Sequence, residues 1–223
     1  MKNIVLGALI VGMIGSSALA TPSTQIWNPS TDIQALGTVH LGIDDYVTLA
    51  DRASGGYAYP TDYGVTAGVL PGLEVGLDSL LPQNIPGSSL VFNAKYGLAE
   101  SELLPAVAVG GYGFGLNQGQ TDQNVIYGVM AKSFGLGRFS VGYFSGKTAT
   151  IGSDNGGVIL TWDKMITDKI WACVDYAGGQ SVLGSLFGGF SYAFSSNTSV
   201  LVAYGKYNNG ATPTLTTQLD INI

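Results

Sequence analysis

The chain has 223 residues, a net charge of −6, 46 % hydrophobic residues and only 11 % charged residues. Since a soluble domain usually contains about 25 % charged residues, this composition argues against a soluble secreted domain, and the acidic balance argues against nucleic-acid binding. Cys173 is the single cysteine, which excludes an intramolecular disulfide framework.

The first twenty residues have the pattern of an export signal. Lys2 precedes an apolar run over residues 4–15, and Ala18 and Ala20 form a small-residue cleavage site before Thr21. The apolar run is too short for a transmembrane helix. We therefore expect residues 1–20 to be a cleaved signal peptide, residues 21–34 to form an N-terminal periplasmic segment, and the remainder to form one all-β domain.

Twelve segments after residue 34 alternate apolar with polar residues, which is the period of a half-buried β-strand. In the first of them Val39, Leu41 and Ile43 share one face, while His40 and Asp44 share the other. The predicted strands cover residues 35–49, 61–70, 73–78, 88–99, 104–116, 123–134, 137–146, 157–166, 169–178, 185–194, 198–207 and 215–223.

The connections between these strands alternate in length. Short ones follow the even-numbered strands, at residues 71–72, 100–103, 135–136, 167–168 and 195–197. Mostly longer ones follow the odd-numbered strands, at residues 50–60, 79–87, 117–122, 147–156 and 179–184, and the last, at 208–212, is intermediate. Regular alternation of this kind indicates strands that run up and down, with both chain termini at the short-turn end.

A strand with one apolar and one polar face needs two different environments. A closed barrel with an apolar outside and a polar inside meets this need in a lipid bilayer, where every backbone group must be paired. The sequence therefore predicts an all-β, closed antiparallel up-and-down transmembrane β-barrel of about 12 strands (10–14 possible) over residues 35–223. A soluble β-sandwich or lipocalin-like binder would need a polar exterior, which the low charge does not supply.

Over essentially all of its mature region the chain resembles the bacterial outer-membrane β-barrel (porin-like) superfamily. The resemblance lies in the export signal, the connection pattern and the alternating Leu219, Ile221 and Ile223 at the end. It implies a multi-pass barrel in the bacterial outer membrane, with periplasmic termini and insertion by the barrel-assembly machinery. Barrels of this superfamily usually finish in an aromatic residue, and Ile223 departs from that pattern.

Function in such a barrel would be carried by the inward polar side chains. Two interpretations stay open: a hydrated pore with a charge preference, or an internal ion-pair network that fills the lumen. Many inward glycine, serine and threonine residues favour a narrow open pore. The predicted pore-lining residues are His40, Asp44, Asp62, Glu74, Asp78, Asn93, Lys95, Lys132, Arg138, Asp163, Asp175, Gln218 and Asp220.

The outer half of the predicted barrel is acidic. It has eight aspartates against Arg52, Lys147 and Lys206, and an acidic entrance favours cations over anions. We therefore expect a weak cation preference that salt screens. The aspartates are Asp44, Asp45, Asp51, Asp62, Asp78, Asp122, Asp154 and Asp175.

Aromatic residues are expected outside, in the headgroup belts and over strand glycines. Tyr-Gly recurs at residues 63–64, 96–97, 112–113, 127–128 and 204–205, and we predict that these rings point outward. The residues near strand ends that suit the belts are Tyr46, Tyr63, Phe134, Phe139, Trp162, Trp171 and Tyr204.

Catalytic signals are weak. His40 is the only histidine, and its neighbours on the same face offer no nucleophile. Residues 153–157 lack the ligand spacing of a calcium loop, so a turn is expected, and no metal or cofactor is expected. The sequence thus predicts no enzyme but a porin-like channel for passive diffusion of small polar solutes or ions. The alternative is a structural or surface-interaction barrel with a filled lumen. The oligomeric state stays open.

Overall fold

The computed structural model describes residues 23–49, 61–81 and 89–223, so the expected signal peptide, the predicted loop at 50–60 and most of the predicted loop at 79–87 lie outside the described residues. A short helix, α1 (Thr148–Ile151), follows the seventh strand. The strands are β1 (Val39–Thr48), β2 (Thr61–Leu70), β3 (Leu73–Leu81), β4 (Leu90–Leu98), β5 (Ala106–Gly115), β6 (Asp122–Phe134), β7 (Gly137–Ser145), β8 (Gly156–Thr167), β9 (Ile170–Ala177), β10 (Ser185–Ala193), β11 (Thr198–Tyr207) and β12 (Thr214–Asn222).

These strands form one closed barrel in which every neighbouring pair is antiparallel. Every pair except the closing one is also consecutive in the chain. Strand β1 closes the barrel against β12, with His40 opposite Asn222 and Thr48 opposite Thr214. The predicted twelve-strand up-and-down barrel is confirmed. Closure pairs the edges that an open sheet would leave exposed, and it is a source of stabilisation that needs no disulfide.

The two ends of the barrel differ as the connection lengths predict. The connections after β2, β4, β6, β8 and β10 are grouped at one end, which we call the short-turn end, and the opposite end is the long-loop end. One of the two-residue turns at the short-turn end joins β2 to β3, and Gly72 in it has a φ of 76°. A Cβ atom there would lie 2.6 Å from the carbonyl oxygen of Gly97, so the turn requires glycine.

The outward face of the barrel is apolar. Side chains such as Leu77, Phe92, Val109 and Tyr143 are exposed there, and exposed residues of this kind occur on every strand. Soluble monomers rarely expose so extended an apolar surface. Among the described residues, no helix is long and apolar enough to cross a membrane.

Strand β6 turns the opposite face inward from the one we predicted. Its buried residues include Val125, Val129 and Ala131, which alternation places on the lumen side. Asn124 has a φ of 47°, the one positive value at a non-glycine position among the described residues. This irregularity sits at the start of the strand and sets which of its faces turns inward.

Four aromatic residues that we expected outside lie inside the barrel. Tyr112 and Tyr127 line the lumen with their ring centroids 6.1 Å apart. Tyr46 packs against lumen aromatics, and Trp171 is 4 % exposed, with its indole N–H donating to the inward carboxylate of Asp163. Tyr46 and Trp171 were misassigned because they lie near strand ends, since alternation puts Tyr46 on the face of Asp44 and Trp171 on the face of Asp175. Tyr112 and Tyr127 lie in the apolar rows of their strands, which alternation assigns to lipid.

Candidate functional site: the barrel lumen

Residues 23–34 fold into a hairpin inside the barrel, which we call the lumen hairpin. Thr24 and Pro29 form an antiparallel bridge, and the N–H of Gln25 donates to the carbonyl oxygen of Asn28 at 2.8 Å, so residues 25–28 form its tip. The predicted N-terminal segment therefore contacts the inward side chains of the barrel. Its position on the periplasmic side stays a prediction.

Asp175 of β9 binds the tip. The backbone N–H groups of Ile26, Trp27 and Asn28 donate to its Oδ2 atom at 3.1, 2.8 and 2.9 Å, and the side-chain amide of Asn28 donates to Oδ1. Asp175 is 0 % exposed. Three successive N–H groups around one carboxylate form an anion nest, which is how a charge is accommodated at this depth.

Glu74 of β3 and Lys95 of β4 bind both arms of the hairpin. The two side chains form an ion pair with 3.3 Å between Nζ and Oε1, and each is 2 % exposed. Glu74 accepts from the hydroxyl of Ser23 at 2.7 Å and from the N–H of Gln34 at 2.6 Å. Lys95 donates to the carbonyl oxygens of Ser23 at 3.1 Å and Ser30 at 3.4 Å.

A second charged group lies on the opposite wall near the short-turn end. Arg138 of β7 donates to Asp32 of the hairpin at 2.6 Å and to Asp163 of β8 at 2.9 Å. Asp163 also accepts a hydrogen bond from the side-chain amide of Gln25 in the hairpin, at 2.8 Å. Arg138 and Asp163 therefore bind the hairpin.

Aromatic rings surround the hairpin tip. Trp27 stacks on Phe187 of β10 with 5.3 Å between ring centroids, and Tyr46 and Tyr207 meet it edge-on at 5.3 and 6.0 Å. Gln218 of β12 donates to the carbonyl oxygen of Ile26 at 2.8 Å. The hairpin thus packs against β9–β12 through rings and hydrogen bonds together.

Gly68 of β2 accommodates the link between the hairpin and β1. A Cβ atom at this position would lie 2.1 Å from the carbonyl oxygen of Ala35, which is backbone and has little freedom to move. We expect Gly68→Ala to lower the free energy of unfolding by about 1–3 kcal/mol, as overpacking does.

Urea unfolding in lipid vesicles measures this cost. The matched control is Gly188→Ala, since no atom lies within 4 Å of a Cβ atom built on Gly188. Equal midpoints for the two variants would contradict the close approach at Gly68.

A cavity of about 160 Å³ remains between the hairpin and the β1–β6 wall. Its volume has room for several water molecules. The hairpin supplies Ser23, Thr24, Trp27 and Pro29 to one side. The other side is lined by His40, Gly42, Asp44, Asp62, Gly64, Thr66, Glu74, Asp78, Asn93, Ala94, Lys95, Gly111, Tyr112 and Tyr127.

Three aspartates lie along one wall of this cavity. Asp44 lies directly opposite Asp62 in the β1–β2 pair, and Asp78 lies opposite Gly64, two residues further along β2. The amide of Asn93 donates to Asp78 at 2.7 Å. None of the ion pairs among the described residues includes any of the three aspartates. Like charges directly opposite one another on a sheet are destabilising, so Asp44 and Asp62 form an unfavourable pair when both are ionised.

His40 lies near the short-turn end of the same wall. Its Nδ1 atom is 3.2 Å from Oδ1 of Asn222, and its Nε2 atom is 3.5 Å from Oδ1 of Asp220. Both His40 and Asp220 are buried. The histidine therefore takes part in a polar contact that spans the closing pair of strands.

Lys132 is the one predicted pore-lining residue that does not face the lumen. It lies opposite the exposed Phe139 on the outward side, and its ammonium group is 3.0 Å from the carboxylate of Glu100 in the β4–β5 connection. Slight burial raises the pKa of Glu100, but hydrogen bonds from Ser133 and the contact with Lys132 outweigh it, so the pKa lies below its ordinary value. The reversed facing of β6 explains the wrong prediction.

The other twelve predicted residues fall into two groups of six, one without hydrogen bonds to the hairpin among the described contacts and one that binds it. Asp44, Asp62, Asp78 and Asn93 line the cavity without any hydrogen bond to the hairpin among the described contacts, and His40 and Asp220 lie near its base. The rest bind the hairpin: Glu74, Lys95, Arg138, Asp163, Asp175 and Gln218. Prediction from sequence missed the hairpin's own contributors, chiefly Gln25, Trp27, Asn28 and Asp32.

Comparison with solved structures finds this architecture elsewhere. An outer membrane channel from Pseudomonas putida F1 is similar with a TM-score of 0.52 and 9 % identity, over 87 % of this chain and 98 % of that one. The NanC porin is similar with a TM-score of 0.54 and 9 % identity, over 81 % of this chain and 98 % of that one. This chain has the fold of the outer-membrane porins. No protein-family model and no curated protein matches its sequence.

Proposed function

We propose that this protein is a narrow outer-membrane channel through which ions and small polar solutes diffuse passively, with a weak preference for cations. The observation that carries the proposal is the cavity between the lumen hairpin and the β1–β6 wall, with Asp44, Asp62 and Asp78 along it. Two solved structures with this fold are an outer membrane channel and a porin. The exposed apolar outer face suits a bilayer.

The cation preference follows from how the inward charges are paired. The basic lumen residues Lys95 and Arg138 both bind carboxylates. Among the described residues no basic group forms an ion pair with the cavity aspartates, and an ionised carboxylate in a narrow, water-poor space acts on ions more strongly than one in bulk water. We propose that chloride is disfavoured at this level of the channel and that potassium or sodium is favoured.

The topology proposed here places the short-turn end and both termini in the periplasm, as is usual for barrels of this fold. Insertion would use the barrel-assembly machinery that the resemblance implies. The solutes would be small and polar, since the cavity has a volume of about 160 Å³.

A second candidate function is a structural or surface-interaction barrel. The observation in its favour is the lumen hairpin itself, which fills much of the interior through buried hydrogen bonds to Asp175 and Glu74. The two functions differ in one measurable property, because a filled barrel carries no current across a planar bilayer.

Neutralising the cavity wall tests the channel proposal. We expect Asp44→Asn, Asp62→Asn and Asp78→Asn, singly and combined, to move the reversal potential in a salt gradient toward zero, because each change removes a carboxylate from the cavity. The shift should shrink at high salt.

The matched control is Asp45→Asn. Asp45 follows Asp44 in β1, lies on the opposite face and accepts a hydrogen bond from Thr61 at 2.6 Å. Its substitution should leave the reversal potential unchanged. A wild-type reversal potential with the sign of anion preference would rule out the proposed selectivity.

A further inference from the structure

We infer that the lumen hairpin stays in place while solutes pass and that its Trp27 side chain sets their size limit. The inference rests on the proposed channel function and assigns the specificity of that channel to a residue outside the barrel strands. Trp27 lines the cavity from the hairpin side, across from the acidic wall. Solutes would therefore cross between the indole ring and the aspartates.

The hairpin tip is held by the carboxylate of Asp175, most of whose hydrogen-bond donors belong to the tip. Asp175 is 0 % exposed and receives three backbone N–H groups and one side-chain amide from the tip. Its other contact is the hydroxyl of Thr161 at 3.3 Å. If the tip left the lumen, the carboxylate would lose most of its donors in a poorly hydrated space, which is a costly state.

The arms of the hairpin are held in the same way. Glu74 joins Ser23 to Gln34, and Lys95 joins Ser23 to Ser30, so one buried ion pair connects both arms. Displacing the hairpin would remove four hydrogen bonds from this pair at once. An element held by two separate buried charge groups is expected to remain in place.

The barrel wall is also shaped for the hairpin. A Cβ atom at Gly97 of β4 would lie 2.9 Å from Cδ1 of Ile33, and one at Gly68 would lie 2.1 Å from the carbonyl oxygen of Ala35. Gly68 leaves the space that the link occupies. Gly97 leaves space both for Ile33 and for the carbonyl oxygen of Val107 on β5, which would lie 2.9 Å from the same Cβ atom. The wall and the hairpin are therefore complementary in shape as well as in charge.

The side chain of Trp27 can be shortened without removing the hydrogen bonds that hold the hairpin. The tip is bound to Asp175 through backbone N–H groups, which a side-chain substitution keeps. The indole N–H donates to the carbonyl oxygen of Leu183 at 3.0 Å, and its ring stacks on Phe187. Trp27→Ala should therefore widen the passage while leaving the hairpin backbone in place.

The first arm of the test measures size exclusion. Proteoliposome swelling with uncharged sugars of increasing size should show that Trp27→Ala admits sugars that the wild type excludes, with a higher single-channel conductance. Trp27→Leu gives a smaller change and serves if the alanine variant fails to fold. The matched control is Trp162→Ala, because Trp162 lies on the outward face opposite the exposed Phe139 and Val174.

The second arm fixes the hairpin to the wall. Ile33→Cys with Gly97→Cys, in a Cys173→Ala background, places two thiols where a side chain and a missing Cβ atom now meet. We expect equal conductance with the disulfide oxidised and reduced. Current that is lost on oxidation and regained on reduction would overturn the inference, since the hairpin would then have to move for conduction.

The outcomes separate the inference from the channel proposal. A wild-type protein that carries current, together with a Trp27→Ala variant of unchanged size limit, overturns the inference alone. A wild-type protein and a Trp27→Ala variant that both carry no current overturn the proposed function, and the inference with it.

Discussion

Replacing Lys95 by methionine is expected to lower the free energy of unfolding by about 3–5 kcal/mol, the usual cost of removing one partner of a buried ion pair. Lys95 and Glu74 are each 2 % exposed, so the carboxylate left behind would have little access to water. The substitution also removes the donor that joins the carbonyl oxygens of Ser23 and Ser30. Both arms of the lumen hairpin would loosen together.

Urea unfolding in lipid vesicles, followed by tryptophan fluorescence, measures this loss. The double variant Glu74→Gln with Lys95→Met should recover much of the stability, because it leaves no unpaired charge in the lumen. Lys169→Met is the matched control, since Lys169 is exposed in the β8–β9 turn. A Lys95→Met variant as stable as this control would show that the pair does not hold the hairpin.

The second large effect is expected at the hairpin tip. Asp175→Ala leaves the backbone N–H groups of the buried Ile26 and Asn28 without their acceptor, at about 1–3 kcal/mol for each group. The substitution also removes the cost of keeping a buried carboxylate away from water, which offsets part of this loss. We therefore expect a net loss of about 2–5 kcal/mol in the free energy of unfolding.

Asp175→Asn should lose less than Asp175→Ala, because one side-chain oxygen remains to accept from the tip. Trp27 stacks on Phe187 at the tip, so its contribution to the tryptophan fluorescence reports the tip, in addition to the signals of Trp162 and Trp171. The control is Asp168→Ala, at an exposed turn residue. If Asp175→Ala and Asp168→Ala unfold at the same urea concentration, the anion nest contributes nothing to the fold.

Much of the barrel follows from sequence because two simple rules govern it. Period-two alternation located the strands, and the bounds of β2 and β11 match the prediction residue for residue. The alternation of connection lengths then fixed the antiparallel order and placed both termini at one end. Neither rule depends on which residues meet across the lumen, so both can be applied to a single sequence.

The facing of individual strands was harder to predict. In β6, Val125, Tyr127, Val129 and Ala131 form an apolar row that alternation would place toward lipid, yet they face the lumen. The lumen is partly apolar because Ile26 and Trp27 of the hairpin enter it. A rule that assigns apolar residues to lipid fails wherever the interior contains an apolar insert.

The lumen hairpin itself could not be predicted as an element. Residues 23–34 show no periodic pattern, and their conformation is set by barrel side chains far away in sequence, such as Asp175. A signal was nonetheless present in Glu74, Lys95 and Asp175. Charged residues in the middle of a narrow barrel need partners, and the longest predicted segment outside the strands of the mature chain was the one before β1, at residues 21–34.

The measurement that tests the central claim most directly is the reversal potential of the wild-type protein in a planar bilayer under a salt gradient. A cavity bounded by Asp44, Asp62, Asp78 and the hairpin predicts a small steady current with the sign of cation preference. A bilayer that stays sealed, or a potential of the opposite sign, would contradict the account.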